Sequence, residues 1–163
     1  MIVSLIIDRL GQGMGRKLSN IECKSVNVDR TPFGSDNDLG DLLNIWFSKS
    51  IIGPQVHPLF EKKTGDYFPD LLFVGDSFAF TLTDIIGMQG LSRQGDFLYY
   101  FKRRFAFSEK ERSNVIDIPS VEWTKDVLSR DAIIIEINEH WLPDIGFGFV
   151  QAAIAGLEAL QNR

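Results

Sequence analysis

One cysteine, Cys23, and two histidines, His57 and His140, are all that 163 residues supply of either type. A lone thiol excludes an internal disulfide, and so few Cys and His residues exclude a Cys/His zinc cluster. No apolar run approaches the ~18 to 20 residues needed to span a bilayer, so membrane insertion of this chain is not expected. Positive charge is also scarce: 17 Lys and Arg stand against 22 Asp and Glu, a net charge of -5. Nucleic-acid binders gather enough cations to neutralise several phosphates, and the one compact basic group, Lys102, Arg103 and Arg104, falls short of that. The opening Met-Ile-Val-Ser-Leu-Ile-Ile meets Asp8 and Arg9 and lacks both a basic leader and a small-residue cleavage site, so it does not read as a signal peptide.

What is present fits one folded domain over residues 1–163, with 44% hydrophobic and 24% charged residues and no evident linker. Residues 1–35 are the hardest to assign. Residues 2–10 suit a strand or a short helix, with Gly11, Gly13 and Gly15 as a turn, and G-Q-G-M-G lacks the spacing of a phosphate-binding loop. Residues 29–41 are dense in acids and turn formers without meeting the EF-hand pattern; Asp36 or Asp38 serves as an N-cap. Leu39, Leu42, Leu43, Trp46 and Phe47 then share a helical stripe.

A loop through Gly53, Pro54, His57, Pro58 and Pro69 leads to an apolar strand at 70–74. A helix follows at 78–86, then a loop through Gly87, Gly90 and Gly95, and an aromatic strand at 97–101. A polar loop runs to Ser120, which caps a helix at 121–129; the β-branched run in 131–138 is a strand, and a helix at 147–160 ends the order. Alternating strands and helices predict an α/β fold, a three-layer α/β/α sandwich of flavodoxin-like kind with a mainly parallel sheet. Sites in such sheets form at the carboxyl ends of strands. Gly75-Asp76-Ser77 ends one strand and Asn138-Glu139-His140-Trp141 follows another.

A serine on a tight strand-to-helix turn holds its hydroxyl above the sheet edge, beside backbone N–H groups that can receive an oxyanion. It needs a base. His140 emerges at the same predicted edge, whereas His57 lies in the Pro-rich loop. Glu136, Asn138, Glu139 and Asp144 are close enough in sequence to orient the His140 ring, and Glu136, Asn138 and His140 would share one face of a strand. Against this stand plainer roles: Asp76 or Ser77 as a helix cap, His140 as a loop histidine, Arg103 and Arg104 as a solvated strand end, and Trp46, Trp123 and Trp141 as core or rim aromatics. Used functionally, Arg103 and Arg104 would clamp an anionic substrate and Trp141 would stack on a sugar ring. A phosphoacceptor domain using Asp76 is a third option, weakened by the missing phosphate-cradling glycines.

F-V-G-D-S-F at 73–78, followed by D-A-I-I-I-E-I-N-E-H-W-L at 131–142, resembles the SGNH-hydrolase-like domain of the bacterial alginate O-acetylation proteins. D-L-G-D-L-L at 38–43 is similar to a Gly-Asp-Leu segment of that family, and the resemblance covers about residues 36–142. It implies that Ser77 is the nucleophile, with Gly75, Asp76, Asn138, Glu136 and Glu139 in support. The implied activity is acetyl transfer or acetyl-ester hydrolysis on a cell-envelope or exported polysaccharide, without a cofactor, at a periplasmic location and among envelope acetylation machinery. Two departures stand out: the Asp-x-His-Trp motif of those proteins does not precede Ser77, and the Asp-x-x-His of other SGNH enzymes is absent near the C-terminus. Asn138-Glu139-His140-Trp141 is the nearest match. A fragment of a longer protein, an inactive module that binds carbohydrate or a partner protein, and a base relocated to His140 are the three explanations, in that order.

Overall fold

The computed structural model describes residues 2–30, 53–107 and 114–162. The helix expected at 39–47, its caps Asp36 and Asp38, and the D-L-G-D-L-L segment lie outside the described residues. Helix α1 (Ile2–Met14) opens the fold, because Val3, Ile7, Leu10 and Met14 recur at helical spacing and pack into one core cluster. The choice between strand and helix falls to helix, with Gly11 and Gly13 inside it. The turn comes at Gly15, whose φ of +62° is a left-handed helix stop.

Strands β1 (Asn20–Asp29) and β2 (Gln55–Lys63) pair antiparallel as a separate two-stranded ribbon, with a register shift between Cys23 and Ser25. The loop expected around His57 and Pro58 is therefore a strand. Proline is tolerated there because each strand of a two-stranded ribbon has an outer edge that requires no N–H donor. The Asn20 amide ties the ribbon to α1, donating to the Ser4 carbonyl at 3.1 Å and to Asp8 Oδ1 at 2.7 Å.

The main sheet has the order β6-β5-β4-β3-β7. Its central strand β3 (Asp70–Gly75) runs parallel to β4 (Gln94–Tyr99) on one side and to β7 (Ala132–Ile135) on the other. Strands β5 (Arg103–Ala106) and β6 (Asn114–Val115) extend the sheet antiparallel, in what reads as a polar loop from sequence. The protein is thus α/β with a mixed sheet. All six residues of β3 are buried because both its faces are covered. Leu71 and Phe73 join α1 and α2 (Ala79–Met88) in one cluster, while Leu72 and Val74 join Val127 and Phe149 in the other.

The helix expected at 121–129 is shorter and wound differently. A 3-10 turn (Ile118–Ser120) precedes a five-residue π-helix (Trp123–Val127) that begins after Glu122, and the Ser120 hydroxyl donates back to the Asp117 carbonyl at 2.8 Å. The wider winding accompanies close packing of Trp123 on the last helix, α3 (Phe149–Gln161): a Cβ at Gly156 would lie 2.4 Å from the indole Nε1. Helix α3 starts after Gly146, Phe147 and Gly148, whose φ values of 76°, 56° and 84° are incompatible with a right-handed helix. Among the described residues no helix is long and apolar enough to cross a membrane.

Candidate functional site at the carboxyl edge of the sheet

The two ends of the parallel strands treat their carboxylates differently. Near the amino ends, arginines neutralise the acids: Arg93 pairs with Asp70, Arg130 with Asp96, and Arg104 bridges Asp96 at 2.7 Å and Asp126 at 3.1 Å. Arg104, expected at a substrate anion, is instead a strut between β4 and the π-helix, and the hydrogen bond to Asp96 raises its already high pKa. Arg103 is exposed and stands opposite Tyr99 in the β4–β5 register, near the other end of β4.

At the carboxyl ends no cation does this work: among the described residues neither Asp76 nor Glu136 forms an ion pair. Asp76 is 1% exposed. Its Oδ1 accepts the backbone N–H of Phe78 at 2.9 Å, the turn geometry expected of Asx at a helix start, and its Oδ2 accepts Asn138 Nδ2 at 2.6 Å. Glu136 Oε2 in turn accepts the Asp76 N–H at 3.1 Å, while the Glu136 N–H continues the β7–β3 pairing to the Val74 carbonyl at 2.8 Å. Burial, and then the adjacent Asp76 charge, push the Glu136 carboxyl above the usual glutamate range, against the lowering effect of the Asp76 N–H. Buried carboxyl groups without a countercharge are costly and mark candidate sites.

Gly75 is required by this closeness. A Cβ there would lie 2.8 Å from Glu136 Oε2 and 3.2 Å from both Ala79 Cβ and Glu136 Cβ. Gly75→Ala is therefore expected to eject the Glu136 carboxyl and cost on the order of 1–3 kcal/mol. Combining it with Glu136→Ala, which opens the space, should recover part of that loss. Strictly additive losses in urea denaturation would place the clash elsewhere.

Glu136 also gives stability a pH dependence. With its folded pKa raised, the folded protein keeps a proton that the unfolded chain has released, so this group's contribution is full below the unfolded value and is lost as pH rises through the folded one. Glu136→Gln keeps an oxygen for the Asp76 N–H and removes the titration. Its melting temperature relative to wild type should increase between about pH 4 and about pH 7. An offset that does not change with pH would contradict the raised carboxyl.

Ser77 sits on the turn between β3 and α2 and is exposed. The Phe78 N–H is committed to Asp76 Oδ1 and the Ala79 N–H lies 3.2 Å from the Asp76 carbonyl, so of the oxyanion donors expected around Ser77 only its own N–H forms no hydrogen bond among the described residues. Glu139 is exposed at the start of the 3-10 helix Glu139–Asp144, and the backbone of His140 and Trp141 fills the next two positions. His57 stands on the ribbon, its Nε2 3.1 Å from Asp29 Oδ1. Sequence reasoning missed Tyr100, whose N–H donates to the Gly75 carbonyl at 2.8 Å. Its only signal was the run of aromatics at 97–101. Among the described residues no group of three His, Cys, Asp or Glu could hold a metal. No protein-family model, curated protein or solved structure matches the chain.

Proposed function

We propose that this chain is an SGNH-type α/β/α domain that carries out serine-dependent acetyl transfer or acetyl-ester hydrolysis on a cell-envelope or exported polysaccharide. The observation that supports it is the Asn138–Asp76 hydrogen bond of 2.6 Å. It clips the segment leading to His140, two residues beyond Asn138, against the turn that presents Ser77, one residue beyond Asp76. In this reading Ser77 Oγ attacks the acetyl carbonyl as His140 takes its proton, and the Ser77 N–H receives the developing oxyanion. The alcohol leaves with the proton from His140, and a sugar hydroxyl or water then takes the acetyl group from Ser77. In the same reading the reaction belongs to the periplasm, among envelope acetylation machinery.

A second reading, a catalytically inactive module binding carbohydrate or a partner protein, is favoured by the commitment of the Phe78 and Ala79 N–H groups and by two carboxyl groups beside the serine that form no ion pair among the described residues. Pre-steady-state release of p-nitrophenol from p-nitrophenyl acetate separates the two. An active serine gives a burst equal to the enzyme concentration, from accumulation of the acetyl-enzyme. A trace indistinguishable from buffer supports the inactive module.

A further inference from the structure

We infer that the open edge of the main sheet, strand β7 with the flank of α3 beside it, pairs this chain with a second copy of itself. Strand β7 bonds to β3 on one side and, among the described residues, to no strand on the other. The Asp131 N–H bonds inward to the Asp70 carbonyl at 2.9 Å, so by the alternation of a strand the N–H and C=O of Ala132 and Ile134 point outward. Such an edge is a template for another strand unless charge or proline blunts it. Ala132-Ile133-Ile134-Ile135 has neither.

The side chains match the backbone. The β3–β7 register sets Ile133 and Ile135 beside Leu72 and Val74, on the face that α3 covers, yet they remain 40% and 37% exposed. Strands of a parallel sheet are normally covered on both faces, and here the cover stops short of the edge. Helix α3 starts at the carboxyl end of β7, where a Cβ on Gly146 would lie 3.7 Å from Ile135 Cγ2 and 3.5 Å from Val150 Cγ2. It packs inward through Phe149, Ala152 and Ala153, so Val150, Ile154 and Leu157, at i, i+4 and i+7, extend the apolar edge away from Ile135. Ile154 and Leu157 are 54% and 39% exposed. Glu158, the one charged residue of α3, points away from the packed face. A helix this apolar is built to be covered.

A second copy fits this edge. Two chains of net charge -5 repel each other, and the repulsion is weakest where the facing surfaces carry no charge. A two-fold axis normal to the sheet at Ile134 sets β7 antiparallel to its counterpart. The outward N–H and C=O of the two Ile134 residues then bond each other, Ile133 stands opposite Ile135 of the other copy, and the two α3 flanks meet over a joined sheet. Ile133, Ile135, Ile145, Ile154 and Leu157 expose on the order of 400 Å² of aliphatic surface, a patch of the size found at interaction sites. That is about half of the roughly 800 Å² per partner that a stable interface buries, and the β7 backbone and a polar rim supply the rest.

Sedimentation equilibrium of the whole chain at micromolar concentrations is the test, and the wild type should sediment at twice the chain mass of 18.4 kDa. Ile133→Lys and Ile154→Lys each set a charge against its own copy and should raise the dissociation constant by about a hundredfold or more. Both sites are exposed enough for the folded circular dichroism spectrum to persist, and Ile154→Lys stands alone if the strand variant does not fold. Val28→Lys, an exposed apolar position on the β1–β2 ribbon, should leave the dimer intact. Hydrogen exchange should find the Ile134 amide protected in wild type and unprotected in monomeric Ile154→Lys. A monomeric wild type would assign the edge to a different occupant and overturn the pairing. So would a dimer that folded Ile154→Lys preserves, one that Val28→Lys breaks, or one in which the Ile134 amide exchanges freely.

Discussion

Ser77→Ala is expected to reduce turnover of an acetyl ester by on the order of 10³-fold or more while leaving the melting temperature unchanged. The two effects separate because of where the hydroxyl sits. Ser77 is exposed and belongs to neither β3 nor α2, so its removal should cost within about 0.5 kcal/mol of stability. The chemistry has no such slack, since the acyl-enzyme cannot form without that oxygen. A folded Ser77→Ala protein retaining more than about a tenth of the wild-type rate would assign the turnover to another group.

Asp76→Ala is expected to do the reverse, acting first on the fold. Its carboxylate, 1% exposed, accepts from the Phe78 N–H and from the Asn138 amide. Truncation removes the acceptor of both hydrogen bonds, at roughly 1–3 kcal/mol for each. Removing a buried carboxylate that forms no ion pair among the described residues offsets part of this, but the two lost hydrogen bonds outweigh that gain, leaving a net loss of about 2–4 kcal/mol. Asp76→Asn, which keeps one acceptor, should lose roughly half as much. Chemical denaturation reads the difference directly, and an Asp76→Ala protein as stable as wild type would mean that the turn is held by its backbone alone. Because the same bond clips residues 138–140 to the serine turn, ester turnover should fall in both variants even under conditions where they remain folded.

The central strand and the helix after it were legible because their signals were local and unopposed. Residues 71–74 are apolar without interruption, as a strand covered on both faces must be, and Gly75-Asp76-Ser77 carries a turn signature that the Asx hydrogen bond to Phe78 satisfies. The ribbon strand β2 was hidden by Pro58 within it, a residue that a central strand excludes but an edge allows, and by Pro54 just before it. Helix α1 was obscured by its own glycines, since Gly11 and Gly13 imitate a turn on a helix held by Val3 and Ile7. The π-helix depends on how Trp123 fits over Gly156, a contact between residues 33 positions apart that no local pattern encodes. At the site, strand alternation was expected to put Glu136, Asn138 and His140 on one face; β7 ends at Ile135, and Glu136 and Asn138 each meet Asp76 from beyond it. The fate of Arg104 was not readable, because its partners Asp96 and Asp126 come from separate elements.

Intact-mass analysis of the folded protein after treatment with a fluorophosphonate tests the activated serine most directly, because the probe needs an active nucleophile but no knowledge of the natural polymer. The predicted result is a single adduct on wild type, absent from Ser77→Ala and strongly slowed in His140→Ala. Folded wild-type protein that remains unmodified, or that is modified equally in Ser77→Ala, would contradict an acyl-transfer site at this strand end.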